Sequence, residues 1–321
     1  MSRRPILHPS IRRPEGIRWL RSDGKPNFSD RIHRRPGEAK ILAKRPVYTV
    51  TKSSTILHAL EEMTRHNIRS LPVVHPSSYT LEGILTAMDL VNYLGGGELY
   101  NIVSRRHGGS LYSSLLKEVV SSIMNPNPIT ALVTENLKEI LEKMIVNSIG
   151  VIPIVLEDGS LWGIITEHDI VRHLMEKTVG VRVSDVMSRN VITIRDDSTI
   201  GEAAKTMIKY GFRRLPIVDK DGRLWGMITA KDIVRFFGSH DVFRYVESDR
   251  FEEALEAPVK LVGQAKYYTI SPSADVGDAA TKMMENGVSS LVVVDESGKV
   301  VGIITERDVL YALAVQHPKE G

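Results

Sequence analysis

Thr86 and Asp89, Thr166 and Asp169, Thr229 and Asp232, and Thr305 and Asp308 repeat one spacing, a threonine three residues before an aspartate, each pair behind a glycine and two apolar residues. A carboxylate so placed at a strand-to-helix turn can accept hydrogen bonds from two adjacent hydroxyls, while the threonine and the first free amides of the helix face an anion. A ribose diol joined to a phosphate fits that chemistry, which is recognition with no bond broken. The same spacing is also a helix capping box that needs no ligand. Serine, glutamate or glutamine would cap as well, yet Thr and Asp recur every time, so both readings stand together: a cap that also meets a diol.

The elements that must position these residues follow from the repeat. Each unit opens at a threonine (Thr49, Thr130, Thr193, Thr269) and closes at its Asp 40, 39, 39 and 39 residues later. The opening Thr lies in a short β-rich stretch such as Val47-Tyr48-Thr49-Val50. Apolar residues at helical spacing follow, Ile56, Ala59, Leu60 and Met63 in the first unit and Ile200, Ala203, Ala204 and Met207 in the third. Asn136 with Glu139 and Thr199 with Glu202 suit the starts of such helices. Short apolar strands come next at residues 71–74, 151–155, 215–218 and 291–294. Turns such as Asp158-Gly159 and Asp221-Gly222 lead each into a second strand, and the Thr-x-x-Asp opens a second helix. The joints after the first and third units resemble each other, so units one and two pair, as do three and four.

Gly-Ile-Leu-Thr-Ala-Met-Asp, Gly-Ile-Ile-Thr-Glu-His-Asp, Gly-Met-Ile-Thr-Ala-Lys-Asp and Gly-Ile-Ile-Thr-Glu-Arg-Asp, with the Leu-Pro-Val-Val and Leu-Pro-Ile-Val strands and Asp-Val-Met-Ser at 185–188, resemble the signature of CBS (cystathionine-β-synthase-type) domains over roughly residues 37–316. The resemblance implies an α/β protein of α+β repeats, four β-α-β-β-α units set as two tandem pairs in a disc-like, pseudo-symmetric assembly, as in the gamma subunit of AMP-activated protein kinase. It further implies that Asp89, Asp169, Asp232 and Asp308 hold ribose hydroxyls, that Thr86, Thr166, Thr229 and Thr305 meet phosphate, and that adenine lies against the opening strands bearing Thr49, Thr130, Thr193 and Thr269. Arg69 and Arg213 match a basic family position filled by Gly150 and Ser289 in the other two units. Before the Asp stand Met88, His168, Lys231 and Arg307, the last three being further candidates for phosphate. Paired units would then donate charge across a shared cleft, with unequal affinities among the sites.

The resulting map is a basic arm at 1–36, unit 1 at 37–100, a joint at 101–118, unit 2 at 119–178, unit 3 at 179–240, a joint at 241–258, unit 4 at 259–316 and a tail at 317–321. Residues 1–36 hold nine Arg and one Lys against three acids, in a chain whose net charge is only +3. With five prolines there, the segment reads as an extended appendage. Its arginines (Arg3, Arg4, Arg12, Arg13, Arg34, Arg35) could neutralise nucleic-acid phosphates, with Trp19 and Phe28 stacking on bases, or contact a partner protein. Ser104-Arg105-Arg106-His107-Gly108-Gly109 is a second basic patch, placed near the central cavity or as a polar loop.

With 42% apolar and 25% charged residues, no apolar run of membrane length and no secretory signal, the chain reads as cytoplasmic. Zero cysteines exclude disulfides and thiolate chemistry. Asp219-Lys220-Asp221-Gly222 is expected to be a hairpin turn and not a calcium loop, and His168 and His173 are off the spacing for a shared metal. No catalytic set, catalytic cofactor or metal site is expected. The leading expectation is a regulatory, energy-sensing protein that binds AMP, ADP or ATP and reports to a partner protein, self-association being open. The alternatives are a ligand-responsive nucleic-acid-binding regulator, a sensor of S-adenosylmethionine or a dinucleotide, and a bare scaffold.

Overall fold

The computed structural model describes residues 25–28, 32, 35–175 and 179–314. The expected arm, apart from a few positions near its end, and the tail at 317–321 lie outside the described residues.

Units 2 to 4 fold as strand, helix, strand, strand, helix, and unit 1 keeps that order with its opening strand reduced to a single bridge. The first helices are Ile56–Arg65, Leu137–Val146, Ile200–Tyr210 and Val276–Asn286. Their caps are the ones the sequence suggests: Asn136 and Glu139, and Thr199 and Glu202, satisfy each other's backbone amides. The hairpins pair Ser70–Val74 with Leu81–Thr86, Val151–Val155 with Leu161–Thr166, Arg214–Val218 with Leu224–Thr229, and Ser290–Val294 with Val300–Thr305. In units 2 to 4 a two-residue opening strand (Ala131–Leu132, Ile194–Arg195, Thr269–Ile270) lies parallel to the first hairpin strand. In unit 1 the expected strand shrinks to one pairing, Val50 with Val73.

The motif glycines have a steric cause. The segment leading into each unit crosses the second hairpin strand of its neighbour: Lys44 pairs with Ile164, Asn125 with Ile84, Ser188 with Ile303 and Gln264 with Met227. A Cβ at Gly83 would lie 2.9 Å from the Asn125 carbonyl oxygen, one at Gly226 2.2 Å from that of Gln264, and one at Gly302 2.5 Å from Met187 Sδ. These crossings join unit 1 to unit 2 and unit 3 to unit 4, as the sequence suggests.

Helices join the units the other way. The second helix of unit 3, Ala230–Gly238, packs along helix Ile56–Arg65 of unit 1, and Glu306–Ala314 of unit 4 packs on Glu167–Leu174 of unit 2. The buried apolar side chains accordingly form two cores, one shared by units 1 and 3 and one by units 2 and 4. Strands in one direction and helices in the other close a disc-like ring, running unit 1, 2, 4, 3. The two joints meet over the first core, where Tyr112 stacks on Phe243 and Asp249 accepts from the Ser110 hydroxyl and the Tyr112 amide.

Candidate functional site

Every second helix follows its Thr, and in all four the Asp three residues on closes back onto that Thr in the same way. Oδ2 of Asp89, Asp169, Asp232 and Asp308 accepts from the backbone amide of the Thr three residues earlier at 2.8, 2.9, 2.8 and 2.8 Å. The same oxygen accepts from the Thr hydroxyl at 2.7, 2.6, 2.6 and 2.8 Å. The cap thus uses one carboxylate oxygen and leaves Oδ1 for something else.

What meets Oδ1 differs between units. Lys44 Nζ, carried in by the crossing segment, stands 2.6 Å from Asp169 Oδ1, an ionic contact outside hydrogen-bond geometry. Asp232 Oδ1 accepts from Arg235 Nη2 at 2.7 Å and from Gln264 Nε2 at 3.2 Å, Gln264 being the crossing residue of unit 4. Asp308 is buried, and among the described residues no ion pair reaches it. Burial outweighs its bonds from Thr305 and the nearby Arg307 charge, pushing its carboxyl up to about 6. Asp89 is half-buried. The opening Thr49, Thr130 and Thr269 are half-buried and Thr193 is exposed, each one residue before the inward-facing Val50, Ala131, Ile270 or Ile194.

The basic candidates come together where all four units meet. Arg69 of unit 1, Arg213 of unit 3 and Arg307 of unit 4 surround one carboxylate, that of Glu167 in unit 2. Arg307 Nε donates to Oε1 at 2.7 Å, Arg213 Nη1 donates to Oε2 at 3.1 Å, and Arg69 Nη2 lies 3.6 Å from Oε2. Glu306 of unit 4 is the counterpart: its Oε1 meets His168 Nδ1 at 2.7 Å and its Oε2 meets Arg69 Nη1 at 3.5 Å. Lys231 Nζ donates to the Asn67 carbonyl at 2.9 Å, and Arg214 donates to the Ser289 carbonyl, so units 3 and 1 and units 3 and 4 are tied at the same place.

Sequence reasoning missed Glu167, Glu306 and Arg214. The signal was present as an alternation. Residues 69, 150, 213 and 289 read Arg, Gly, Arg, Ser, and their hairpin neighbours 87, 167, 230 and 306 read Ala, Glu, Ala, Glu. Each of these neighbours donates its backbone amide to the carbonyl of its partner, Ala87 to Arg69, Glu167 to Gly150, Ala230 to Arg213 and Glu306 to Ser289. Where one strand brings an arginine the helix brings a methyl, and where the strand is bare the helix brings a carboxylate. Gly150 is bare because a Cβ there would sit 2.6 Å from Glu167 Oε2 and 2.8 Å from the Arg213 guanidinium.

Electrostatically the centre sets Arg69, Arg213, Arg214, Lys231 and Arg307 around Glu167 and Glu306, with Asp308 in the field of Arg214 and Asp232 in that of Lys231. Burial disfavours the Glu167 carboxylate, but Arg307, Arg213 and Arg69 outweigh it and hold the group well below the usual carboxylate range. Burial pulls Arg213 and Arg214 down to about 10 despite the two acids, and it lowers Lys231 as well, in the field of Arg69. Arg69 Nη2 and Arg307 Nη2 are buried with no hydrogen-bond acceptor. Buried donors left unmet are costly, and an anion would satisfy them.

Other expectations meet different fates. The basic patch of the first joint is engaged locally, Arg106 and His107 both reaching Glu118 at 3.2 and 2.9 Å, because this buried acid lies on the same joint. Phe28 is half-buried, packed against the second core with Lys138 over its ring. Asp219 to Gly222 forms the expected turn, Asp219 accepting from the amides of Asp221 and Arg223. Among the described residues no helix is long and apolar enough to cross a membrane.

A CBS domain family model matches residues 39–96, 120–176, 183–239 and 262–315. The chain is 33% identical over 272 residues to the uncharacterized protein MJ1225 of Methanocaldococcus jannaschii, covering 84% of this chain and 96% of that protein. The crystal structure of MJ1225, described as a candidate archaeal homolog of g-AMPK, superposes with a TM-score of 0.79 at 32% identity, covering 84% of this chain and 97% of the other. An uncharacterized 33.4 kDa protein from the ribosomal RNA operon of Thermofilum pendens is 30% identical over 268 residues, covering 84% of this chain and 88% of its own length.

Proposed function

We propose that this chain, which belongs to the CBS domain family, binds adenine nucleotides (AMP, ADP or ATP) at its Thr-Asp corners and acts as a non-catalytic regulatory protein reporting energy state to a partner protein. The observation that carries the reading is the convergence of arginines from units 1, 3 and 4 on the corner of unit 2, where two buried guanidinium nitrogens still lack an acceptor. A nucleoside with its diol on a free Oδ1 and its phosphate toward Arg69, Arg213 or Arg307 would satisfy both ends. The unmet guanidinium donors favour a phosphorylated nucleoside over S-adenosylmethionine, whose sulfonium brings no anionic oxygen to them. The likeness to MJ1225, described as a candidate archaeal homolog of g-AMPK, supports a regulatory role.

A ligand here would act on the whole ring, because every unit contributes to the centre. Binding that favours one arrangement of the two pairs over another would be read by a partner as a shift in population. Calorimetric titration of AMP, ADP and ATP into the wild type and into Asp89→Ala, Asp169→Ala, Asp232→Ala and Asp308→Ala tests the assignment. Loss of the diol contact should weaken an occupied site by about 10- to 150-fold. Unchanged affinity and stoichiometry in all four variants would defeat it.

A further inference from the structure

The centre contains a carboxylate that the capping of its own helix does not require. Glu167 occupies the first position of helix Glu167–Leu174, yet that helix is already capped by Thr166 and Asp169. Units 1 and 3 build the same corner with Ala87 and Ala230 in its place. Although only 4% exposed, Glu167 is held by guanidinium groups from the three other units, two bonding Oε1 and Oε2 and the third standing 3.6 Å from Oε2. Three converging arginines are the surroundings a phosphate group would seek. They are not saturated, since Arg69 Nη2 and Arg307 Nη2 still lack acceptors.

We propose that Glu167 is an internal rival for ligand phosphate and sets how many phosphate groups the centre accepts, favouring nucleoside monophosphates over triphosphates. This rests on the nucleotide-binding reading above. Each phosphate entering the centre must displace the Glu167 carboxylate from its arginines or lie beside it, and like charges at such range repel strongly where water is scarce. The penalty therefore grows with the charge of the ligand. A structural role would have the opposite sign: if Glu167 only oriented Arg213 and Arg307, removing its charge would weaken phosphate binding.

Glu167→Gln keeps the shape and removes the charge. Titrated calorimetrically with AMP, ATP and inorganic tripolyphosphate beside the wild type, it should bind ATP and tripolyphosphate about tenfold more tightly and AMP no more than about threefold more tightly. Equal or weaker binding of ATP and tripolyphosphate by the variant overturns the proposal. Tripolyphosphate separates the two claims. If neither protein binds nucleotide while the variant gains tripolyphosphate, the nucleotide reading fails and the rival carboxylate stands. If both bind AMP and ATP with one unchanged ratio, the reverse holds. Should the variant fail to fold alone, refolding in tripolyphosphate decides, because an anion that Glu167 merely stands in for restores the fold, and no recovery overturns the idea.

Discussion

Units 1 and 3 form one half of this molecule and units 2 and 4 the other, and the halves are built from one repeat to opposite chemical ends. At the hairpin positions before the helix the first half sends arginines (Arg69, Arg213) to the centre and places Ala87 and Ala230 at the helix starts. At the matching positions the second sends Glu167 and Glu306, only 4% and 2% exposed, with Gly150 and Ser289 opposite, and adds Arg307 from the next helix position. The cores differ too. The first holds Phe236, Phe237, Phe251 and Tyr93 and draws in both joints, whereas the second is largely aliphatic around Tyr311. A repeat that must meet itself across a ring cannot place like charges face to face, and the alternation of cation and anion resolves that conflict.

Packing offers the largest test of this contrast. At Gly238 in the first half a methyl group would lie 2.4 Å from the Leu60 carbonyl oxygen and 2.3 Å from Thr64 Oγ1, so two packed helices would have to separate. Gly238→Ala should lower the unfolding free energy in urea by about 3 kcal/mol. The matching residue of the second half is Ala314, and Ala314→Gly should cost only about 1 kcal/mol. Equal costs would mean that the halves pack alike.

Titration gives a smaller and more specific test. The Asp308 carboxyl, pushed up to about 6 by burial, keeps its proton in the native state where the unfolded chain has already released it. Its contribution to stability is therefore fully present below about pH 4 and is lost as pH rises through about 6. Asp308→Asn removes that dependence and should be about 2 kcal/mol more stable than wild type at pH 7, with no such gain at pH 4, in urea unfolding at the two pH values. Asp232→Asn in the first half should show no gain, because Arg235 and Gln264 already attend that carboxylate. A gain there would show that the two corners are electrostatically alike.

The smallest effect belongs to the ion pair in the unit 2 corner. Lys44 is 48% exposed, so Lys44→Ala should cost about 0.5 kcal/mol in thermal unfolding and fade in high salt. A loss above about 2 kcal/mol would make the crossing lysine a structural clamp, and the corner would then have no free oxygen to offer.

Much of this molecule could be read from its residues. The period of the Thr-x-x-Asp motif, the short apolar strands and the paired caps at Asn136 and Thr199 each report a local rule, and local rules survive in one dimension. Which units share a core could not be read, since the helical spacing of Ile200, Ala203, Ala204 and Met207 declares a buried face and says nothing of what covers it. The site divides the same way. The aspartates follow from their spacing, and Arg69 and Arg213 from the family position they match, whereas Glu167 and Glu306 look like ordinary acids of a helix first turn. Only the ring, which carries arginines from distant positions onto Glu167, gives those acids another meaning.

The segments that cross from each unit onto the glycine edge of its neighbour make the repeat indivisible. A solitary copy would leave its hairpin border uncovered and its own leading segment without a seat. Such a chain can grow or shrink only by twos, and a descendant with an odd number of copies would have to borrow the missing strap from another molecule.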